Sequence, residues 1–225
     1  WLEDLGMFFF PCNCLICGKR VPSRRAILCL VCEYQLPFTR FGSYYDNPVT
    51  RIFWGRAPVE AATSLFRFEK GSSYQSLLHE LKYRGNRMVG TYLGRLLGAT
   101  IRNTPLAGCE LIVPVPLHAA RRRKRGYNQS ELIARGISDF LSVPVAPNLL
   151  MRRVQHRSQT SVGRYDRFLN VNGNFTHGFH EGDLKSKGVL LVDDVVTTGA
   201  TLEACSMILH KQFHCKVMVA TVSYA

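Results

Sequence analysis

The segment Val189-Leu-Leu-Val-Asp-Asp-Val-Val-Thr-Thr-Gly-Ala-Thr-Leu202 constrains the fold more than any other part of the chain. Its first residues form an apolar run without alternation, which reads as a central parallel strand, Val189–Asp193, covered on both faces. The run ends in two adjacent carboxylates, Asp193 and Asp194, and a Thr/Gly loop then opens a helix. Loop Thr197–Thr201 offers three hydroxyls and backbone N–H groups at a helix N-terminus, where an anion is stabilised. Gly199 lets the backbone approach a ligand closely. No lysine follows, so this is not the glycine-rich loop of nucleoside triphosphatases. Carboxylates beside a phosphate cradle repel an all-phosphate ligand. They suit one with hydroxyls on one side and phosphate on the other, a ribose 5-phosphate. A Mg²⁺-binding acid pair of the response-regulator kind would close a first strand, and a solvated capping turn would not continue as Thr-Thr-Gly-Ala-Thr.

The remaining chain alternates strand and helix. Val59–Phe68 is β-branched and aromatic and reads as a strand, and Leu111–Pro116 as a short buried strand stopped by two prolines. Ser72–Arg84, Arg87–Arg102, Asn128–Leu141 and Thr201–His210 read as helices, with Asn128 an N-cap, and Lys216–Val222 as the last strand. This order predicts an α/β domain with a mostly parallel sheet flanked by helices, binding ligands outside the carboxyl ends of its strands.

Cysteine usage divides the chain. Five of eight cysteines fall within Cys12–Cys32, as Cys14-Leu-Ile-Cys17, 11 residues, then Cys29-Leu-Val-Cys32. Two such knuckles bring four thiolates to one point, the donor set of a closed structural Zn²⁺ site. Disulfides would need an oxidising compartment, and Cys12 is an alternative ligand. Cys109, Cys205 and Cys215 read as buried small hydrophobes. The first fifty residues otherwise hold little that could form a core, and the segments 44–48 and 53–56 read as a linker with aromatic anchors. The expected division is a zinc-ribbon-like module and linker, 1–55, followed by the α/β domain, 56–225.

The chain of 225 residues carries 29 Lys and Arg against 16 Asp and Glu, a net +13 that favours an anionic partner. The excess is local: 111–170 holds 11 basic and 3 acidic residues. Much of it is the run Arg121-Arg-Arg-Lys-Arg125, which reads either as a diphosphate-binding loop or as solvated surface. The polar stretch Arg152–Phe175, with Gln159, Arg164, Arg167 and Asn170, reads as a mobile hood over the ligand or as an exposed insertion. Lys82 and Arg84, at a helix end, fit the helix dipole. No apolar run nears the roughly 20 residues that span a bilayer, so no transmembrane segment is expected. The apolar start Trp1–Pro11 is acidic and has no cleavage site, so a cytoplasmic location is expected. No initiator Met precedes Trp1, as in a trimmed chain.

Leu190–Leu202 resembles the phosphoribosyl-diphosphate (PRPP) motif of type I phosphoribosyltransferases at all 13 positions. Several further segments resemble the ComF/GntX family: the four-cysteine module, Leu81-Lys-Tyr-Arg-Gly85, Val113-Pro-Val-Pro116, Arg125-Gly-Tyr-Asn-Gln129, and Gln159, Arg167 and Asn170. Departures are Val162, where members usually have Leu, and a single cysteine set. The resemblance implies a type I phosphoribosyltransferase-like sheet after a zinc module. It also implies Mg²⁺-PRPP as ligand, with Asp193 and Asp194 at the ribose and Val195, Val196, Thr197, Thr198, Gly199, Ala200 and Thr201 at the 5′-phosphate. Pro116, Leu117, His118, Lys82 and Arg125 would complete the PRPP site, and the hood residues would cover it. Cys14, Cys17, Cys29 and Cys32 would hold zinc. Two functions follow from the family: phosphoribosyl transfer to an amine or base acceptor, or PRPP-sensing and single-stranded DNA binding in competence and DNA uptake, with competence proteins as partners. Tyr127 and Tyr165 are aromatics placed for strand binding. Because the charge flanks the PRPP site, it does not by itself argue for DNA.

Overall fold

The computed structural model describes residues 12–23, 26–153 and 174–225. Four parallel strands form its sheet: β1 (Val59–Arg67), β2 (Leu111–Pro114), and two strands here named β5 (Gly188–Val196) and β6 (Lys216–Tyr224), in the order β1-β6-β5-β2. Strands β3 (Leu150–Arg152) and β4 (Phe175–His177) pair antiparallel in a separate ribbon. The helices are α1 (Leu30–Tyr34), α2 (Pro48–Arg51), α3 (Gln75–Tyr83), α4 (Arg87–Ile101), α5 (Ala119–Arg125), α6 (Gln129–Leu141) and α7 (Ala200–Phe213).

The apolar run of β5 is covered on both faces. Leu190 and Val192 pack with Leu81 of α3, Leu93 and Leu97 of α4, and Ile133 and Ile137 of α6. Val189 and Leu191 join Leu202, Cys205 and Leu209 of α7 on the other face, with Phe175 of the ribbon. The chain therefore leaves β2 toward one face, where α6 lies, and leaves β5 toward the other, where α7 lies. A crevice opens between the carboxyl ends of β2 and β5 at this reversal, the place where open α/β sheets bind ligands.

Two corrections concern the N-terminal region. Val21, Ile27, Leu28 and Leu36 are buried in the same core as α3 and α4, so the cysteine segment contributes to a core that the sequence did not credit to it. The residues taken for a linker hold α2, capped by Asn47, whose side chain accepts from Val49 and Thr50 N–H at 2.9 and 3.1 Å. Val49 and Phe53 are fully buried against α7 and the sheet. Local polarity hid this, because each short apolar group finds its partners only in the folded domain. Two further differences are smaller. β5 runs on past Asp193 to Val196, since β6 supplies ladder partners for Val195 and Val196. The basic run 121–125 is not a loop but helix α5, which ends at Gly126 with φ 76°.

Helices α4 and α6 touch at their backbones. Gly90, Gly94 and Gly98 recur every four residues and line one face of α4. A Cβ on Gly94 would lie 2.1 Å from Ile133 O, and one on Gly136 would lie 2.2 Å from Thr91 O. Backbone cannot yield as a side-chain tip does, so overpacking here falls at or above the upper end of its usual cost. Gly94→Ala should lower the unfolding free energy by about 3 kcal/mol in denaturant titration; an unchanged midpoint contradicts the close packing.

Candidate functional site

The two carboxylates at the end of β5 are each held from another element. Asp193 Oδ1 accepts from Ser130 Oγ, on the first turn of α6, and from the Asp194 amide, both at 2.8 Å. Asp194 Oδ2 lies 3.2 Å from Lys82 Nζ, on the last turn of α3. Burial, together with the neighbouring Asp194 charge, pushes the Asp193 carboxyl up to about 7, against the pull of Ser130, the Asp194 amide and Lys82. A carboxylate poised this way beside a cleft is characteristic of functional sites.

The helices that carry these partners are tied to the strand ends. The Asn128 side chain caps α6, accepting from Ser130 N–H at 3.2 Å, and donates to Val115 O at 2.9 Å just past β2. Tyr127 donates from its hydroxyl to Leu81 O at 2.5 Å, joining the α6 entry to α3. Arg87 donates to Gly126 O at 3.0 Å and lies over the Tyr127 ring. The Arg-Gly-Tyr-Asn-Gln segment thus positions two helices at once.

After β5 the chain turns through Thr197 and Thr198 to Gly199, which takes φ 78° and opens α7. A Cβ there would meet Ile52 Cγ2 at 2.4 Å, so only glycine fits. Arg56 clamps the turn from outside: its Nη1 donates to Thr198 O at 3.1 Å, and its Nη2 to Glu203 Oε2 at 2.5 Å. The loop lines a small pocket of about 80 Å³ bounded by Val196, Thr197, Thr198, Gly199, Ala200 and Thr201, with Asp193 and Val195 at its edge. Its size and its helix N-terminus match one phosphate group.

Beside it lies a cavity of about 470 Å³. Its lining includes Asp193, Asp194, Val195, Thr201 and Lys82 together with Pro116, Leu117, Arg121, Arg125 and Arg152. Burial, followed by the neighbouring Arg121, pulls Arg152 below its usual range, and Asp193 opposes this. The crevice therefore brings two carboxylates and three guanidinium groups into one lining.

Most residues singled out from the sequence come together here. Asp193 to Thr201, Lys82, Pro116, Leu117 and Arg125 border the two connected spaces. His118 stands apart, its Nδ1 accepting from Ala120 N–H at 3.2 Å to cap α5. Gln159, Arg164, Arg167 and Asn170 lie outside the described residues. Sequence reasoning missed Ser130 and Arg56, and named Arg152 only as the start of the stretch read as a hood. Ser130 was legible only as part of a helix start, and Arg56 lies 142 residues from the Thr198 it holds.

The four cysteines form a second site. A bridge pairs Asn13 with Arg20 around the first knuckle, where Gly18 N–H donates to Cys14 O at 2.9 Å. The second knuckle runs into α1. The sulfurs of Cys14, Cys17, Cys29 and Cys32 all lie within 4.8 Å of one another, with Cys17 and Cys29 at 3.7 Å. Four thiolates at ~2.3 Å from one tetrahedral Zn²⁺ would stand about 3.8 Å apart, so the residues fit that ion. Burial raises the Cys14 thiol, but amides of Cys17, Cys29 and Ile16 and the Cys17 thiol outweigh it and bring it down to about 6. Cys12 falls outside the group, and its carbonyl accepts from Val21 N–H. Cys109, Cys205 and Cys215 are buried, as expected.

A parallel sheet with paired acids closing its central strand, a phosphate-sized cradle beyond them and guanidinium groups in the same crevice defines a type I phosphoribosyltransferase-like domain. Residues 110–225 match the family described as "Phosphoribosyl transferase domain". Along nearly its whole length the chain is 34% identical, over 217 residues, to Competence protein F of Haemophilus influenzae, covering 91% of this chain and 93% of that one. It is 27% identical over 200 residues to DNA utilization protein YhgH of Salmonella typhimurium, covering 87% and 83%. Among solved structures, adenine phosphoribosyltransferase from Leishmania tarentolae aligns with a TM-score of 0.40 at 10% identity, over 79% of this chain and 88% of that one. The chain belongs to the ComF/GntX family of phosphoribosyl transferase domain proteins.

Because the core around the cysteines is continuous with that of α3 and α4, a zinc ion held by the four thiolates would stabilise the whole fold. Elemental analysis should find about one zinc per chain. Cys14→Ser or strong chelation should release it and lower the melting temperature. A metal-free chain that melts at the same temperature contradicts this.

Proposed function

We propose that this protein binds Mg²⁺-PRPP in the crevice between β2 and β5 and transfers its phosphoribosyl group to an acceptor, in the service of DNA uptake and use. The observation that carries the reading is the acid pair, held by Ser130 and Lys82 beside a phosphate-sized pocket and three guanidinium groups. Only a ligand with a phosphate, a pair of hydroxyls and a second anionic group satisfies all three. In this reading the loop 197–201 takes the 5′-phosphate, Asp193 and Asp194 accept from the ribose hydroxyls, and Arg121, Arg125 and Arg152 face the diphosphate. His118 holds α5 in position, and Gln159, Arg164, Arg167 and Asn170 supply the hood.

Among the described residues no third acid joins Asp193 and Asp194 in a metal-binding group. That suits Mg²⁺, which takes one or two carboxylates and completes its shell from substrate oxygens and water. When bound it would neutralise charge on the diphosphate. The chain's own contribution is to hold the ribose hydroxyls and receive the departing diphosphate on preorganised guanidinium groups, which stabilise charge as it develops. Zinc in the four-cysteine module, the division into 1–55 and 56–225, and a cytoplasmic location belong to the same proposal. Among the described residues no helix is long and apolar enough to cross a membrane.

The names of the relatives, competence and DNA utilization, support a role beside DNA-handling proteins. A second reading, in which the domain is a PRPP-sensing adaptor on single-stranded DNA, is favoured by one feature. Arg122 and Arg123 of α5 are exposed and lie outside the crevice lining, so a PRPP site does not account for them. Oligonucleotide affinity should then fall steeply with salt, and Arg122→Ala/Arg123→Ala should flatten the log–log slope by about 1.4, at ~0.7 per phosphate contact. An unchanged slope removes the adaptor reading.

Calorimetry with Mg²⁺-PRPP tests the main proposal. The intact chain should bind, and Asp193→Ala/Asp194→Ala should not; an intact chain that does not bind defeats it. An ionised carboxylate accepts from hydroxyls more strongly than a protonated one, and burial pushes the Asp193 carboxyl up to about 7. Affinity should therefore rise from pH 6 to 8, by up to tenfold per unit below pH 7, with a proton released on binding. Asp193→Asn should flatten that rise beyond what PRPP's own ionisation produces.

A further inference from the structure

Three cavities meet at the last turn of α3, and only one of them contains the acid pair. Lys82 and Tyr83 border all three. The second, of about 460 Å³, lies between the ends of α3 and α5, and its charged lining is Lys82, Arg84, Arg121, Lys124 and Arg125. Helical geometry sorts the basic run of α5. Residues 121, 124 and 125, spaced i, i+3 and i+4, face this cleft, whereas 122 and 123 do not line it.

Among the described residues no carboxylate lines the cleft. Lys82 is engaged by Asp194 at 3.2 Å and Arg84 by Glu80 at 3.4 Å. Arg121, Lys124 and Arg125 have no carboxylate within ion-pair distance among the described residues. Arg84 and Lys124 are absent from the lining of the acid-bearing crevice, so the cation field extends past the place where PRPP would sit.

The third cavity, of about 610 Å³, opens on the other side of Tyr83 and is lined by Phe68, Leu78, His79 and Val195, among others. Its polar residues Gln75 and Ser76 turn back on their own segment: Gln75 Nε2 donates to Glu69 O, its Oε1 accepts from Gly71 N–H, and Ser76 donates to Ser73 O. Besides Lys82 and Thr197, what remains is mainly apolar: the rings of Phe68, His79 and Tyr83 with Leu78, Val195 and Ala225. Tyr83 is 69% exposed and Phe68 42%. The His79 ring lies 5.1 Å from that of Tyr83, and the Arg125 guanidinium lies 5.7 Å from its centroid. Exposed rings beside a cationic groove are the surface on which bases stack.

We propose that these two cavities form a nucleotide site, with a planar base against Tyr83, His79 and Phe68 and a phosphate among Arg84, Lys124 and Arg121. An anion alone leaves the rings uncovered, and an aromatic compound alone leaves three cations unneutralised. A phosphate joined to a base satisfies both. That chemistry is offered by a free nucleoside monophosphate and by the phosphorylated end of a strand. The site goes beyond the PRPP reading and does not require PRPP to bind.

The test is calorimetric titration of the full chain with AMP, adenosine, inorganic phosphate, and a short oligothymidylate with and without a 5′-phosphate. AMP or the phosphorylated strand should bind at least tenfold more tightly than adenosine or phosphate alone, and whichever binds more tightly identifies the source. Lys124→Ala and His79→Ala, which border only the new cavities, should each weaken binding about tenfold, while the melting temperature and the PRPP titration stay unchanged. Tyr83→Phe, which keeps the ring, should retain binding that Tyr83→Ala loses. Asp193→Asn/Asp194→Asn, which removes the PRPP site, should still bind the nucleotide. An intact chain that binds AMP but not PRPP would count against the PRPP reading alone. The nucleotide site is overturned if nothing binds, if ribose 5-phosphate displaces AMP fully, or if neither Lys124→Ala nor His79→Ala has an effect.

Discussion

Two neighbouring carboxylates at the end of a covered strand repel each other in a poorly hydrated place, and the arrangement persists only where other groups face them. Here those groups come from two helices on one side of the sheet, Ser130 on α6 and Lys82 on α3. Both helices must therefore end at the right height above β5. The Asn128 cap fixes α6 to the end of β2, and the Tyr127 hydroxyl links that cap to α3. The glycine-lined contact of α4 with α6 sets how close the helix layer lies. The chemistry of the crevice thus depends on packing well away from it.

The N-terminal part takes a share in this. Ile52 and Phe53 stand against Gly199, and Arg56 holds the Thr198 carbonyl together with Glu203. The anion cradle is supported from beneath by a segment more than 140 residues earlier in the chain. Charge is arranged with similar economy. Arg121, Arg125 and Arg152 line the same crevice as the acids, and Arg121 and Arg125 of α5 also border the neighbouring cleft.

Local pattern was enough to read the elements whose partners lie close by. The apolar run of β5, the acids that end it, the helix that follows and the paired cysteine knuckles were all visible, because each is a short-range signal with one physical meaning. The parts that failed depend on distant contacts. The segments 44–48 and 53–56 read as a linker with aromatic anchors because Asn47 and Phe53 are isolated in a polar stretch, yet Asn47 bonds the Ala62 carbonyl of β1, and Phe53 and the intervening Val49 join the core with α7. The run 121–125 read as a loop or solvated surface because this fold class places a diphosphate loop after the strand; the cap from His118 and the left-handed Gly126 make it a short helix instead. Ser130 could not have been picked out, since nothing in its own segment indicates that it meets Asp193, and Arg152 stood only as the first residue of the stretch read as a hood. The glycine spacing of α4 was present in the sequence, but its meaning appears only with Gly136 opposite.

The most direct measurement of the central claim is a crystal structure of the full chain with Mg²⁺ and PRPP. The account predicts the 5′-phosphate on the amides and hydroxyls of Thr197–Thr201, the ribose hydroxyls within hydrogen-bond distance of Asp193 and Asp194, and the diphosphate toward Arg121, Arg125 and Arg152. A ligand whose phosphates lie elsewhere, with the loop at 197–201 unused and the two carboxylates free of the sugar, would contradict it.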